Sequence, residues 1–116
     1  MSALLAAIAG RDADGLQAML AKDVVFHSPV QTYRDRQQAL RLLALIGGVI
    51  DDVEVTRVVD DVTFFAAKVE EHPVDGVLVE GTDDDGQITE ITLMLRPLAQ
   101  LQAAVARMAR ALSEPG

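Results

Sequence analysis

The stretch from Val74 to Leu112 reads VDGVLVEG-TDDDG-QITEITLMLRP-LAQLQAAVARMARAL. Two apolar segments typical of β-strands flank an acidic turn sequence at Asp83–Gly86, and Pro97 ends the second of them. A long apolar segment follows from Leu98 to Leu112, with the spacing and length of a helix. The pattern therefore predicts an antiparallel hairpin followed directly by a long apolar helix.

The Asp83–Gly86 turn also predicts which residues of the hairpin face each other. With Gly86 free to adopt positive φ, Thr82 is expected to face Gln87. Because side chains alternate along a strand, every second pair outward from the turn lies on one sheet face. This face is apolar except near the turn, where Glu80 is the one acid directed inward. The predicted inner pairs are Glu80 with Thr89, Leu78 with Ile91, Gly76 with Leu93 and Val74 with Leu95; the mixed outer face carries Val79 with Glu90, Val77 with Thr92 and Asp75 with Met94.

Length and composition limit the class of protein. The chain has 116 residues, of which 50% are hydrophobic, and this predicts one domain over residues 1–116 with a substantial core. No apolar run reaches the roughly 20 residues that cross a bilayer, and no basic segment precedes the apolar start. We therefore expect a cytoplasmic protein that does not contact membranes. The absence of Cys excludes disulfides and thiolate metal sites.

Charge and aromatic content argue against nucleic-acid binding. The net charge of −8 repels phosphates, and a chain with three Phe, one Tyr and no Trp offers few surfaces for base stacking. The sequence also lacks a Gly-rich phosphate loop, because Gly47-Gly48 stands without the required pattern. The Asp83–Gly86 segment lacks the alternating spacing of a calcium loop. We therefore expect no cofactor and no metal site.

The rest of the chain predicts an α+β domain. Ser2 can cap a first helix, and Asp12 or Asp14 can start a second. Pro29 stops a first strand, and Gly47-Gly48 ends a third helix. The predicted helices are Ser2–Ala9, a short one over Leu16 to Leu20, Arg36–Ile46 and Leu98–Leu112, and the strands are Val24–Ser28, Val53–Val59, Val62–Val69, Val74–Gly81 and Ile88–Leu95.

This order of elements, together with the segment DVVFHSPV from Asp23 and the DDDGQITEITLMLRP hairpin, resembles the SnoaL-like branch of the nuclear transport factor 2-like superfamily. The resemblance covers nearly the whole chain. It implies a cone in which a curved, mostly antiparallel sheet wraps N-terminal helices around an apolar cavity, and a homodimer formed through the outer sheet face. Ketosteroid isomerases, polyketide cyclases, epoxide hydrolases and dehydratases share this shape with binding proteins that catalyse nothing, so the site must decide the function.

At the positions that correspond to the catalytic residues of the ketosteroid isomerases, this sequence has residues that cannot perform the same roles. Their catalytic Asp before the strand-ending Pro corresponds to Ser28, which cannot shuttle a proton as a carboxylate does. Their oxyanion-hole acid corresponds to Leu78, and their Tyr on the first helix aligns near Ala3. Steroid isomerisation by that mechanism is therefore not expected. Arg96, the arginine available for an epoxide-hydrolase arrangement, falls on the outer face beside Met94.

Individual polar residues remain as candidates. Glu80, if desolvated on the inner face, would have a raised pKa suited to acid–base work. Because it lies two residues from the turn, the simpler interpretation places it in water at the open rim. His27 has a suitable pKa for a base, yet alternation directs it away from Phe26 and Ser28. Tyr33 could donate a phenolic hydrogen bond at the mouth of the cavity or cover a helix end.

Three functions follow from this set. We expect a protein that binds a small apolar molecule in the cone, with no assignable reaction. One alternative is an isomerase, cyclase or hydratase that uses Glu80 as its single acid–base group. The other is a non-catalytic dimeric module whose cavity is filled by its own side chains. The residues expected to bind the ligand are Phe26, Ser28, Tyr33, Leu78, Glu80 and Leu93.

Overall fold

A computed structural model describes residues 2–113 of the chain. Within this range the elements confirm the predicted α+β class, with a short second strand that the sequence pattern did not indicate. The helices are α1 (Ala3–Ala9), α2 (Ala13–Met19), α3 (Arg36–Ile46) and α4 (Leu98–Ser113). The strands are β1 (Leu20–His27), β2 (Thr32–Tyr33), β3 (Asp51–Val59), β4 (Val62–Val69), β5 (His72–Thr82) and β6 (Ile88–Arg96).

The first three helices begin at the polar residues that favour helix N-termini. The Ser2 hydroxyl accepts a hydrogen bond from the Leu5 amide at 2.9 Å. Asp12, rather than Asp14, caps α2, and Asp35 caps α3 by accepting from backbone amides of its first turn. Each side chain satisfies amides that lack a partner within the helix. None of the helices within residues 2–113 is long and apolar enough to cross a membrane.

The six strands form one sheet in the order β2-β1-β6-β5-β4-β3. All neighbours are antiparallel except β1 and β6, which are parallel. Irregularities interrupt the β1–β6, β3–β4 and β5–β6 ladders, and bulges of this kind bend strands and increase sheet twist. The result is the predicted curved sheet, which packs its inner face against the helices and does not close into a barrel.

The hairpin of β5 and β6 is present, but its predicted register is wrong. The turn is one residue longer than the four expected, because the Asp83 amide donates to the Gln87 carbonyl at 2.9 Å. Thr82 therefore pairs with Ile88 instead of Gln87. The Asp83 side chain stabilises this longer turn by accepting from the amides of Asp85 and Gln87.

A bulge next to the turn moves the register by one residue more. Gly81 pairs with Glu90, which leaves Thr89 as the extra residue on β6. Leu78 therefore faces Leu93, two residues beyond its predicted partner. Because the displacement is two residues beyond the bulge, side chains there stay on the face that alternation predicts. On the turn side of the bulge the displacement is one residue, and Ile88, which alternation places on the outer face, is buried in the core.

The core lies between the inner sheet face and the helices. Fully buried side chains come from both layers, including Leu4 and Leu43 from helices and Leu78 from the centre of the sheet. The Phe65 ring lies directly over Gly76, where a Cβ would stand 2.1 Å from the ring Cζ. The absence of a side chain at Gly76 thus leaves room for the Phe65 ring in the core.

The outer sheet face carries an exposed apolar row, which we call the outer-face row: Met94, Val77 and Phe64. Met94 pairs with Val77, and Val77 pairs with Phe64, so the row crosses three adjacent strands. Met94 is 59% exposed and Phe64 is 38% exposed. An apolar row at the middle of a sheet face is a feature of surfaces that contact another protein.

Candidate functional site

A cavity of about 170 Å³ lies between the inner face of the sheet, α3 and α4. Phe26 of β1 and Leu93 and Leu95 of β6 form the wall on the sheet side. Side chains alternate between the two faces of a sheet, and these residues lie at the strand positions whose side chains point to the same face as the buried core. The wall formed by α3 and the segment after it consists of Leu42, Ile46, Val49 and Ile50.

Helix α4 forms the third wall. Its cavity-lining side chains recur at helical spacing, so a single face of the helix supplies them all. Ala104 is the one fully buried residue that this helix contributes among residues 98–113. Arg107 attaches α4 to the loop after α3 by donating to the carbonyls of Gly48 and Val49, both at 3.4 Å. The lining residues of α4 are Leu101, Ala104, Val105, Met108, Ala109 and Leu112.

One end of the cavity is polar, at the turn between β1 and β2. Ser28 lies there, but its hydroxyl is fully used by the turn. It donates to the Gln31 carbonyl at 2.8 Å and accepts from the amides of Val30 and Gln31 at 3.2 and 3.0 Å. A hydroxyl has one proton and two lone pairs, so Ser28 has no bonding capacity left for a ligand.

Tyr33 is the second polar side chain at this end. Its ring stacks on Phe26 with centroids 6.0 Å apart and an angle of 27° between the planes. Its hydroxyl oxygen accepts a hydrogen bond from Gln31 Nε2 at 2.8 Å. The stacking on Phe26 holds the phenol ring at the cavity wall, and the hydrogen bond holds its hydroxyl beside the exposed Gln31.

Two of the six sequence-predicted site residues lie elsewhere. Leu78 is fully buried in the core and is absent from the cavity lining found within residues 2–113. Glu80 lies in a separate cleft beside Ser2, Asp61 and Thr63, near the turn end of β5. The structure therefore brings together Phe26, Ser28, Tyr33 and Leu93, and separates Glu80 from them.

Glu80 is half-buried in that cleft. Burial raises the pKa of Glu80 above its ordinary value, the Asp61 charge acts in the same direction, and a hydrogen bond with the Ser2 side chain opposes both. Glu80 therefore has the raised pKa that the sequence predicted for an inward-facing acid. It lies outside the apolar cavity, in a cleft lined by Val58 and by acidic and hydroxyl side chains.

Removal of the Glu80 charge is expected to stabilise the protein at neutral pH. Because the folded pKa is raised, the stability that protonated Glu80 contributes is present below its ordinary value of 4.5 and is lost as pH rises through the folded pKa. Glu80→Gln should therefore increase the free energy of unfolding at pH 7, with the gain disappearing towards about pH 4. Urea unfolding at both pH values checks this. Glu54→Gln, at an exposed position on β3, controls for the lower net charge; an equal gain in that variant would contradict the assignment to Glu80.

The two histidines lie away from the cavity. His27 is on the outer sheet face, where its Nδ1 is 2.9 Å from Thr32 Oγ1 and its Nε2 is 3.1 Å from Glu90 Oε2. His72 is exposed at the start of β5. Within residues 2–113, no three His, Asp or Glu side chains are placed to hold a metal ion.

Sequence reasoning missed the two helical walls of the cavity. The signal was present in α4, because Leu101, Val105, Met108 and Leu112 recur at intervals of three and four residues. This spacing identifies an apolar face without showing what that face covers. On α3 the lining residues Leu42 and Ile46 lie four residues apart, the same helical spacing.

Comparison with known proteins supports the fold. The family model described as the SnoaL-like domain matches residues 1–96, which leaves α4 beyond the matched part. An uncharacterised protein with a cystatin-like fold from Silicibacter pomeroyi superimposes with a TM-score of 0.88 at 24% identity, covering 97% of this chain and 84% of that one. No protein with a curated description matches the chain.

Two similar structures carry names that specify activities. A steroid delta-isomerase from Pseudomonas aeruginosa is 33% identical, with a TM-score of 0.84 over 96% of this chain and 90% of that one. A LEH-like epoxide hydrolase from M. tuberculosis is 19% identical, with a TM-score of 0.61 over 95% of this chain and 90% of that one. The epoxide hydrolase shows similarity of fold alone.

Proposed function

This chain belongs to the SnoaL-like domain family, and we propose that it binds a small apolar molecule in the cavity between the sheet, α3 and α4. The observation that supports this most strongly is the open, almost wholly apolar cavity. Its volume of about 170 Å³ is close to that of an apolar cavity of ~150 Å³ that binds benzene. It lies below the roughly 300 Å³ at which pockets for drug-sized ligands begin. A compound with one ring or two fused rings matches this space.

The lining favours binding over acid–base catalysis. Among the described lining residues there is no carboxylate, imidazole or amine, the groups that most often act as general bases, and the one titratable side chain is the phenol of Tyr33. Ser28, at the position of the isomerase carboxylate, has its hydroxyl engaged in the turn. A ligand in this cavity would meet hydrocarbon walls and one phenol.

Isomerisation is the second candidate, and its support comes from the similarity to the P. aeruginosa steroid delta-isomerase. For this chain the acid–base group of that candidate is Glu80, whose raised pKa suits proton transfer. Its substrate would have to react in the cleft beside Ser2 and Asp61, outside the apolar cavity. Turnover of a β,γ-unsaturated ketone that is lost in Glu80→Gln would support this candidate over simple binding.

We also propose that the protein forms a homodimer through the outer sheet face. The support is the outer-face row, which exposes a Met and a Phe side chain at the centre of the sheet. Removal of such an apolar surface from water is the main favourable contribution to protein–protein association. A two-fold dimer would bring the row of one protomer against the row of the other.

Filling the cavity is expected to abolish ligand binding. Leu93 is buried in the sheet wall, so the larger indole of Leu93→Trp should occupy the space of the ligand. For the wild type, α-methylstyrene at one hundred times its Kd should stabilise the fold by about 2.7 kcal/mol, a shift of several degrees in Tm. Thermal unfolding with and without this hydrocarbon checks the loss of stabilisation in the variant.

Two further variants make the result interpretable. Overpacking a core costs about 1–3 kcal/mol, so Leu93→Trp can be weakened for reasons unrelated to the ligand. Ala109→Trp fills the same cavity from α4, at an exposed position, and should also remove the stabilisation. Val58→Trp, on the exposed part of β3, should retain it. Stabilisation that persists in both cavity variants would contradict the proposed site.

A further inference from the structure

The polar end of the cavity has one hydrogen-bond donor without an assigned acceptor. Tyr33 uses its oxygen to accept from Gln31 Nε2, which leaves the hydroxyl proton to be donated. Within residues 2–113, no hydrogen bond from this proton to a protein acceptor is found. Ser28, the neighbouring polar side chain, is saturated by three bonds inside its own turn. Tyr33 is therefore the group at this end that can recognise a polar atom of a ligand.

We propose that the ligand is uncharged and carries one hydrogen-bond acceptor, a carbonyl or ether oxygen, which accepts from the Tyr33 hydroxyl. This inference rests on the proposed small-molecule binding. The remainder of the ligand is hydrocarbon, because every other side chain of the lining is apolar or, like Ser28, already satisfied. The oxygen lies at the end of the cavity near the β1–β2 turn, and the ring or rings extend towards α4.

Charge on the ligand is disfavoured by the same surroundings. No Lys, Arg, His, Asp or Glu occurs among the described lining residues, so an ion in the cavity would have no opposite charge beside it. Burying an unpaired ion costs far more than burying a hydrogen-bonded neutral oxygen. The protein as a whole carries a net charge of −8, which also opposes the approach of an anion.

Matched probes separate the Tyr33 hydrogen bond from the hydrophobic contribution. Acetophenone and α-methylstyrene have the same skeleton, and differ in that a C=O group of the first is a C=CH₂ group in the second. Tyr33→Phe keeps the ring that stacks on Phe26 and removes the hydroxyl. Measuring both probes on both proteins by titration calorimetry forms a double-difference cycle, in which the different hydration of the two probes cancels.

The cycle has a definite expected result. A neutral hydrogen bond contributes about 0.5–1.5 kcal/mol net, so Tyr33→Phe should weaken acetophenone binding about two- to tenfold. Binding of α-methylstyrene should change by less than twofold, because it makes no hydrogen bond that the variant could lose. Benzoate, of similar size but charged, should bind the wild type at least about tenfold more weakly than acetophenone.

Failure of this inference can be distinguished from failure of the proposed function. If the wild type binds both probes but Tyr33→Phe weakens both equally or neither, Tyr33 does not donate to the ligand and the inference is overturned. Benzoate binding as tight as that of acetophenone would overturn the uncharged character. If neither acetophenone nor α-methylstyrene binds the wild type, the small-molecule function itself is contradicted, and this inference with it.

Discussion

Gly76→Ala is expected to lower the free energy of unfolding by about 1–3 kcal/mol, the typical cost of overpacking a core. A Cβ at this position would stand 2.1 Å from Phe65 Cζ and 2.5 Å from both Cε atoms. Phe65 cannot move aside easily, because its side chain is fully buried within the hydrophobic cluster. The added methyl must therefore displace the ring or bend β5, and each of these disturbs the centre of the sheet.

Urea unfolding of four variants, Gly76→Ala, Gly81→Ala, Phe65→Leu and the double variant, checks the cause of the effect. Gly81→Ala is the matched control on the same strand, because its Cβ would meet Glu90 Cβ at 3.4 Å, an ordinary van der Waals distance. It should be nearly neutral or slightly stabilising, since alanine restricts the unfolded chain. Phe65→Leu combined with Gly76→Ala should be less destabilised than the sum of the two single variants. Equal effects of Gly76→Ala and Gly81→Ala would show that Phe65 is not the obstacle.

Met94→Glu is expected to convert the proposed homodimer into a monomer. Truncating a hot-spot residue at the centre of an interface costs about 2 kcal/mol or more, and a two-fold interface contains the substitution twice. A total of roughly 4 kcal/mol corresponds to a dimer Kd raised about a thousandfold. The charges of the two copies would also lie near each other across the axis. Because Met94 is 59% exposed in the protomer, the substitution should leave the fold itself almost unchanged.

Sedimentation equilibrium over a range of protein concentrations measures this change, and urea unfolding of the monomeric variant checks that the fold is retained. Val58→Glu is the matched control: Val58 is 56% exposed and pairs with Thr63, whose buried side chain is on the inner face. It should leave the dimer Kd unchanged. A wild type that is monomeric at all concentrations, or a Met94→Glu protein that still dimerises, would contradict the proposed interface.

The elements of the fold could be predicted because their signals are local. Ser2 caps the first helix as predicted, and alternation assigned the residues of β5 and β6 beyond the bulge to the correct face. The register could not be predicted in the same way, because it depends on the length of the turn and on the bulge at Thr89. Both are settled by backbone hydrogen bonds that two adjacent strands form together.

The candidate site was predicted in part, for a related reason. Phe26, Ser28, Tyr33 and Leu93 meet because β1, β2 and β6 are neighbours in the sheet. Glu80 is on the inner face as expected, but the inner face extends beyond the cavity towards the β5–β6 turn. Its turn end is occupied by the start of α1, where Ser2 lies beside Glu80, so a separate cleft results.

By itself, the sequence determined the four helices, five of the six strands and the inner face of most of the β5–β6 hairpin, since these follow from side-chain periodicity and from bonds between residues close in the chain. The tertiary structure alone decided where α4 lies. Its apolar face could have covered the core, a partner or a ligand, because periodicity is the same in all three cases. Packed beside α3 and β6, with Arg107 bonded to the loop after α3, the helix encloses a space that side chains do not fill. That unfilled volume is a property of how distant elements fit together, and no local pattern specifies it.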